Sequence, residues 1–249
     1  MPVSRSKKFL RFSLILVTIL GLSMSVSSTH FLNMRDLPEE NFFNISISQF
    51  LVKQCEDTGS DCSKEEPLVM EGTASGVGIL SKDNTTYVLT ADHFCHPGEF
   101  YFMNAVTDKI ESDIWVTNDK GVTYIAEIVY SDVQKDLCLL STKAYIKNDM
   151  RFSLFKPEIG EKVYAVSAPY GIHEKGVSLH FEGIFSGCDE GDMCYYTIPA
   201  TGGSSGSLVF DSKGRIIGMI QMTTRGFNAI SLGVGSDTIR QFLIESNLF

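Results

Sequence analysis

The chain has 249 residues, 43% of them apolar and 20% charged, with 7 prolines. A polypeptide of this length and composition buries a sizeable core in one large lobe or two small ones, which excludes a disordered chain. Its net charge of −9 and pI near 5.0 exclude a nucleic-acid surface, because phosphate binding needs clustered cations and the only cluster is Arg5, Lys7, Lys8 and Arg11.

Those cations precede an apolar run over 12–22, which passes into Ser23, Ser25, Ser27 and Ser28. A basic start, a short apolar middle and a small-residue zone are the layout of a secretory signal, with a cut expected near Ser27. Counted as far as Val26 the run is about fifteen residues, short of the roughly twenty of a spanning helix, so an uncleaved membrane anchor over 1–28 is the alternative. Either way the body is expected outside the cytoplasm, secreted or periplasmic, and the N-terminal segment is its only expected membrane contact. Residues 29–68 read as an N-terminal extension and first strand, and 69–249 as the main domain, with a boundary between its halves near 145–160.

Short β-rich segments then alternate with Gly, Asn, Asp and Lys turns. Strands are predicted over 45–53, 69–80, 87–91, 100–104, 114–118, 123–130 and 137–141, and again over 162–167, 177–186, 195–198, 207–210, 216–222 and 229–233. So many short strands define an all-β protein, as barrels or a sandwich. One helix closes the chain, with Ser236 as its cap, Asp237 at its positive end and Ile239, Phe242 and Leu243 as its apolar stripe.

An even count of six cysteines suits an oxidising compartment and allows fifteen pairings. Cys55 and Cys62 bracket one polar turn and Cys188 and Cys194 another, which leaves Cys95 with Cys138. No C-x-x-C pair or histidine cluster with zinc-like spacing occurs, so neither a metal nor another cofactor is expected. Asn44-Ile45-Ser46 and Asn84-Thr85-Thr86 match the glycosylation acceptor pattern.

Between two apolar runs lies Thr201-Gly202-Gly203-Ser204-Ser205-Gly206-Ser207-Leu208. A serine flanked by glycines suits acyl transfer, because the glycines let the backbone turn tightly and aim its N–H groups at one point. Ser205 is the candidate nucleophile, and it needs a base. His30, His96, His173 and His180 read as surface or structural residues, whereas His93 ends the strand Tyr87-Val88-Leu89-Thr90-Ala91-Asp92-His93, whose apolar body can hold an imidazole rigidly. For the carboxylate that orients the base, Asp136 stands directly before the apolar run Leu137-Cys138-Leu139-Leu140, where a carboxylate is costly unless partnered. Asp132 and Asp92 are its rivals.

The order His93, Asp136, Ser205, with Thr90-Ala91-Asp92-His93, Asp136-Leu137-Cys138-Leu139-Leu140 and Gly203-Ser204-Ser205-Gly206-Ser207 around them, resembles the trypsin-like (chymotrypsin-fold) serine endopeptidases. The likeness is closest to single-domain bacterial and phage-type members and to the HtrA-like branch, and it runs from about Val69 to the closing helix. It implies two six-stranded antiparallel barrels with the triad in the cleft between them. Carried over, it makes His93 the base, Asp136 its orienter, Ser205 the nucleophile and the N–H groups of Gly203 and Ser205 the oxyanion hole. It also implies a Cys95–Cys138 bond fastening the segments that carry base and acid.

The departures carry information too. Ser204 stands where animal trypsins have the acidic residue that pairs with a new N-terminus on activation, so that switch is not expected. Pro199 stands where trypsins carry the aspartate that selects basic side chains, and a small or apolar preference is the default; Pro199 and Gln221 are the candidate substrate contacts. Ser207 and Asp92 replace residues that are usually glycine and small. No PDZ domain follows, so regulation through one is not expected. Two readings result: an endopeptidase acting on polypeptides through an acyl-enzyme, or a protease-fold binding or scaffold protein that no longer cleaves. An esterase on the α/β-hydrolase fold is disfavoured, since that order puts the serine first and needs alternating helices.

Overall fold

A computed structural model describes residues 37–52, 68–96, 109–147, 149–224 and 226–248. Cys55, Cys62, the strand predicted over 100–104 and the N-terminal leader lie outside these residues. Two closed antiparallel barrels of six strands each account for the fold. The first contains β1 (Phe42–Val52), β2 (Leu68–Lys82), β3 (Thr85–Thr90), β4 (Lys109–Asn118), β5 (Thr123–Asp132) and β6 (Leu137–Thr142), in the order β1-β2-β3-β6-β5-β4. The second contains β7 (Lys162–Ser167), β8 (Leu179–Cys188), β9 (Met193–Tyr196), β10 (Leu208–Phe210), β11 (Ile216–Thr224) and β12 (Phe227–Gly235), in the order β10-β11-β12-β9-β8-β7. β1 pairs with both β2 and β4, so the first barrel is not closed without the strand that precedes Val69.

Strand side chains alternate between faces, and here both faces find cover. Phe43, Ile45, Val88, Val116 and Leu140 fill the first barrel, and Val163, Ala165, Tyr196, Val209 and Ile217 fill the second. The alternate residues of the same strands, Phe42, Val77, Leu89, Leu137 and Leu139 from one barrel and Tyr164, Val166, Leu208 and Phe210 from the other, form a third apolar layer at the seam. This is why Leu137 to Leu140 is apolar without a break, and all four residues are fully buried.

Short turns set the strand register. Asp83 and Asn84, both in the left-handed region (φ 52° and 59°), make the two-residue hairpin between Lys82 and Thr85. That places the Asn84 acceptor pattern at an exposed tip, while Asn44 lies inside β1, paired on both sides.

The chain ends in α2 (Ser236–Glu245), preceded by one helical turn, α1 (Asp92–Cys95). Ile239, Phe242 and Leu243 of α2 enter the seam layer, with the Phe242 ring centroid 5.0 Å from that of Tyr130. The cap differs from the expected Ser236: Gly235 occupies that position, no side chain bonds the free amides, and Ser236 is buried in the first turn. β12 runs straight into the helix, so the last strand residue takes the cap. Lys135 anchors the far end, its Nζ lying 2.8 Å from Glu245 and 2.5 Å from Asp132. Hydrogen bonds to Asp132 and Glu245 hold the lysine well above its ordinary pKa. None of the described helices is long and apolar enough to cross a membrane.

Cys95 is bonded to Cys138 and Cys188 to Cys194, with Cα separations of 6.6 and 3.9 Å. The first bond joins α1 to β6 across 43 residues of sequence. Replacing Cys95 and Cys138 by alanine is expected to cost about 2–4 kcal/mol, through the closed loop that the bond removes from the unfolded ensemble. Urea unfolding measures it, and an unchanged midpoint would show that the bond contributes nothing.

Candidate active site

Three segments deliver the groups singled out by the sequence. β3 stops at Thr90, and the chain then turns through α1, so His93 sits on a helical turn and not at the end of a strand. The cause is local. Asp92 is 3% exposed, a burial that a carboxyl tolerates only with partners, and its Oδ1 lies 2.9 Å from Nδ1 of His96 one turn later, while its carbonyl accepts the His96 N–H at 3.0 Å. Asp92 is thereby spent on closing α1.

Asp136 occupies the turn ahead of β6 with φ of +51°, a conformation that aspartate tolerates better than most residues. Its Oδ2 lies 2.8 Å from Nδ1 of His93, its Oδ1 lies 3.0 Å from the same nitrogen, and Oδ1 also accepts the His93 backbone N–H at 2.8 Å. A carboxylate at that position holds the imidazole proton on Nδ1 and leaves Nε2 as the acceptor. The side chains of His93 and Asp136 are 37% and 25% exposed, so the pair opens to substrate.

Ser205 lies in the turn between β9 and β10. Its hydroxyl donates to the Gln221 carbonyl at 3.1 Å, and Ser205 and His93 line the same pocket. Within the turn the N–H groups of Ser204, Gly206 and Ser207 donate to Thr201, Ile220 and Ser204 at 2.9, 2.8 and 3.2 Å. The N–H groups of Gly203 and Ser205 have no partner among the described residues. The Gly202 carbonyl accepts the Tyr170 N–H at 2.6 Å, and since a trans peptide points its C=O and N–H in opposite directions, the Gly203 N–H is turned away from Tyr170. Only glycine fits there: φ is +91° and a Cβ would come within 2.4 Å of the Ala168 carbonyl oxygen. Tyr170 also holds a left-handed backbone (φ 55°), uncommon for a bulky residue, and that conformation presents its N–H to Gly202.

One residue that the sequence did not mark as a site ties this turn to the first barrel. Ser75 of β2 is fully buried; its Oγ donates to the Gly203 carbonyl at 2.8 Å and accepts the Ala168 N–H at 2.9 Å. Its N–H donates to the Ser205 carbonyl at 2.8 Å and its carbonyl accepts the Thr90 hydroxyl at 2.8 Å. The signal in the sequence was a hydroxyl at the head of the apolar run Ser75-Gly76-Val77-Gly78-Ile79, since a buried hydroxyl requires partners.

The remaining candidates fall elsewhere. The Gln221 carboxamide bonds to backbone: its Nε2 donates to the Lys135 and Asp136 carbonyls at 2.7 and 2.8 Å, supporting the left-handed turn of Asp136. Only its backbone carbonyl meets Ser205. Pro199 is exposed and lines neither pocket at Ser205. Asp132 is paired with Lys135, His173 lies 3.0 Å from the Asn118 carbonyl and His180 lies 2.7 Å from Glu39. Among the described residues the one cluster of three groups able to hold a metal is Cys188, Asp192 and Cys194, and its cysteines are bonded to each other.

Two closed barrels with a histidine–carboxylate pair from one facing a glycine-rich serine turn from the other define the chymotrypsin-like class of serine peptidases. The chain belongs to the trypsin-like peptidase domain family, whose match spans residues 74–219 and so includes Ser75, His93, Asp136 and Ser205. Solved structures with the same fold include the serine endoprotease of Yersinia pestis, at 18% identity and a TM-score of 0.59 over 86% of this chain. The HtrA-type protease AlgW with a decapeptide is another, at 20% identity and a TM-score of 0.59, and a variant of it with the decapeptide aligns at 17% identity and 0.63, each over 86% of this chain. The chain spans 64% of the Yersinia enzyme and 67% of each AlgW chain. No curated protein sequence matches it.

Ser75→Ala strands the Gly203 carbonyl and the Ala168 amide. The expected cost is about 1–3 kcal/mol in urea unfolding, the penalty for buried groups left without partners, with a fall in kcat that exceeds any rise in KM. An unchanged kcat would show that Ser75 does not position the turn.

Proposed function

We propose that the protein is a serine endopeptidase that cleaves polypeptides through His93, Asp136 and Ser205. The observation that carries this reading is the 2.8 Å contact between Asp136 and Nδ1 of His93, with His93 sharing a pocket with Ser205 beside two amides that have no partner among the described residues. The Ser205 hydroxyl turns from the Gln221 carbonyl to Nε2 of His93, an adjustment of one side-chain bond of the kind that substrate binding completes. Its oxygen attacks the scissile carbonyl carbon while its proton passes to Nε2, and the oxyanion forms against the N–H groups of Gly203 and Ser205. Asp136 stabilises the imidazolium. The proton then moves from Nε2 to the amine as the C–N bond breaks, leaving an acyl ester on Ser205. Water attacks that ester, gives its proton to His93 and releases the acid, and the serine oxygen takes the proton back.

The acyl-side cleft measures about 200 Å³ and is lined by Ala200, Thr201, Ile220, Met222 and Thr223, with no charged side chain. A cationic side chain buried there has no counter-ion, so uncharged residues are favoured before the scissile bond. Disulfides, the secretory layout of 1–28 and the polypeptide substrate fit an extracytoplasmic protein, with 1–28 as a cleaved signal or an anchor.

A fluorophosphonate probe should label wild type and not Ser205→Ala, and His93→Ala should lower kcat/KM by on the order of 10³-fold or more. A folded wild-type protein that neither labels nor cleaves would favour the scaffold reading instead. Within a peptide series, lysine or arginine before the scissile bond should reduce kcat/KM by about tenfold or more relative to alanine or valine; equal rates would contradict an uncharged acyl-side cleft.

A further inference from the structure

Two clefts meet at Ser205, and only one of them contains His93. In amide hydrolysis the protonated imidazole must hand its proton to the departing nitrogen, so the residue that follows the scissile bond lies against His93. The cleft shared with His93 therefore receives the leaving side of the substrate. It is the larger of the two, about 270 Å³ against about 200 Å³.

Away from His93 and the Ser205 turn its lining comes from the first barrel, and apart from Glu71 and Thr73 that lining is apolar. Ile47 of β1, Met70 and Gly72 of β2 and Phe94 of α1 line it opposite His93 and Ser205. Ile47 and Phe94 are members of the first barrel's core, 2% and 6% exposed, so the pocket is a mouth opened into that core. The opening comes from Gly72. It pairs with Ile47 across β1 and β2, and a Cβ at this position would sit 3.4 Å from both the Ile47 Cγ2 and the Phe94 Cε2. That is contact distance without collision, so the glycine leaves open at the pocket wall the room that a methyl group would fill. Glu71 adds a carboxylate to the lining.

We infer that this enzyme selects its cleavage site on the leaving side, taking a large apolar residue, leucine or phenylalanine in kind, directly after the scissile bond. The inference rests on the peptidase reading above. An apolar side chain entering the mouth between Ile47, Met70 and Phe94 is removed from water where the barrel core already offers contacts. An acidic residue there meets Glu71 and is disfavoured.

The test uses peptides with one fixed acyl segment, ending in alanine, and alanine, leucine, phenylalanine or aspartate after the scissile bond. Wild type should show kcat/KM for leucine and phenylalanine above alanine by about tenfold or more, with aspartate lowest. Gly72→Leu, which fills the mouth, should collapse the ratio of leucine to alanine toward one; Met70→Ala, which widens it, should raise the ratio of phenylalanine to leucine. Equal rates for alanine, leucine and phenylalanine in a wild-type enzyme that labels with fluorophosphonate would overturn the inference alone, as would ratios untouched by both variants. Absence of labelling on folded protein would overturn the peptidase reading and this inference with it.

Discussion

The positions of the reacting groups depend on how one barrel is fastened to the other, and the fastening is concentrated at Ser75. His93 and Asp136 belong to the first barrel and Ser205 to the second, so any slip at the seam separates the proposed base from the proposed nucleophile. An apolar layer alone resists separation but gives little direction, because hydrophobic contact is non-directional. The hydrogen bonds of Ser75 supply the direction. They reach the Gly203 carbonyl, the Ala168 amide and the Ser205 carbonyl from a strand whose own carbonyl takes the Thr90 hydroxyl, three residues before His93. Gly206 records how close the approach is: a Cβ there would lie 2.0 Å from the Ser75 carbonyl oxygen.

Strained backbone clusters around the same point. Gly203, Gly206, Asp136 and Tyr170 all have positive φ. Each residue is held by a hydrogen bond: the Ser75 hydroxyl to the Gly203 carbonyl, Tyr170 N–H to Gly202, Gly206 N–H to Ile220, and the Gln221 side chain to the Asp136 carbonyl. Unfavourable torsions persist when surrounding contacts over-determine them.

The β character, most strand positions and the closing helix could be read from alternation and turn residues, because period-2 patterning survives where one face of a strand is covered more tightly than the other. Leu137 to Leu140 was legible as a strand for a different reason, being apolar on both faces at the seam. His93 was misread as a strand end: a buried Asp92 with a histidine four residues later is a helix-closing pair, and tertiary contact through Cys95 overrode the apolar run before it. The contact of the Gln221 carboxamide with the Asp136 carbonyl was not legible, since the two residues lie 85 apart along the chain. Ser75 was legible only as a hydroxyl at the head of an apolar run, since its partners in the second barrel lie 93 to 130 residues away along the chain.

The central claim is that Ser205, the Gly203 and Ser205 amides and His93 converge on one reacting carbon. The most direct measurement is a crystal structure with a peptide boronate whose acyl-side residue is alanine. The account predicts a bond from boron to Ser205 Oγ, one boronate oxygen 2.7–3.1 Å from both amide nitrogens, and another oxygen facing Nε2 of His93. Boron bonded elsewhere, or its oxygens turned away from those amides, would contradict it.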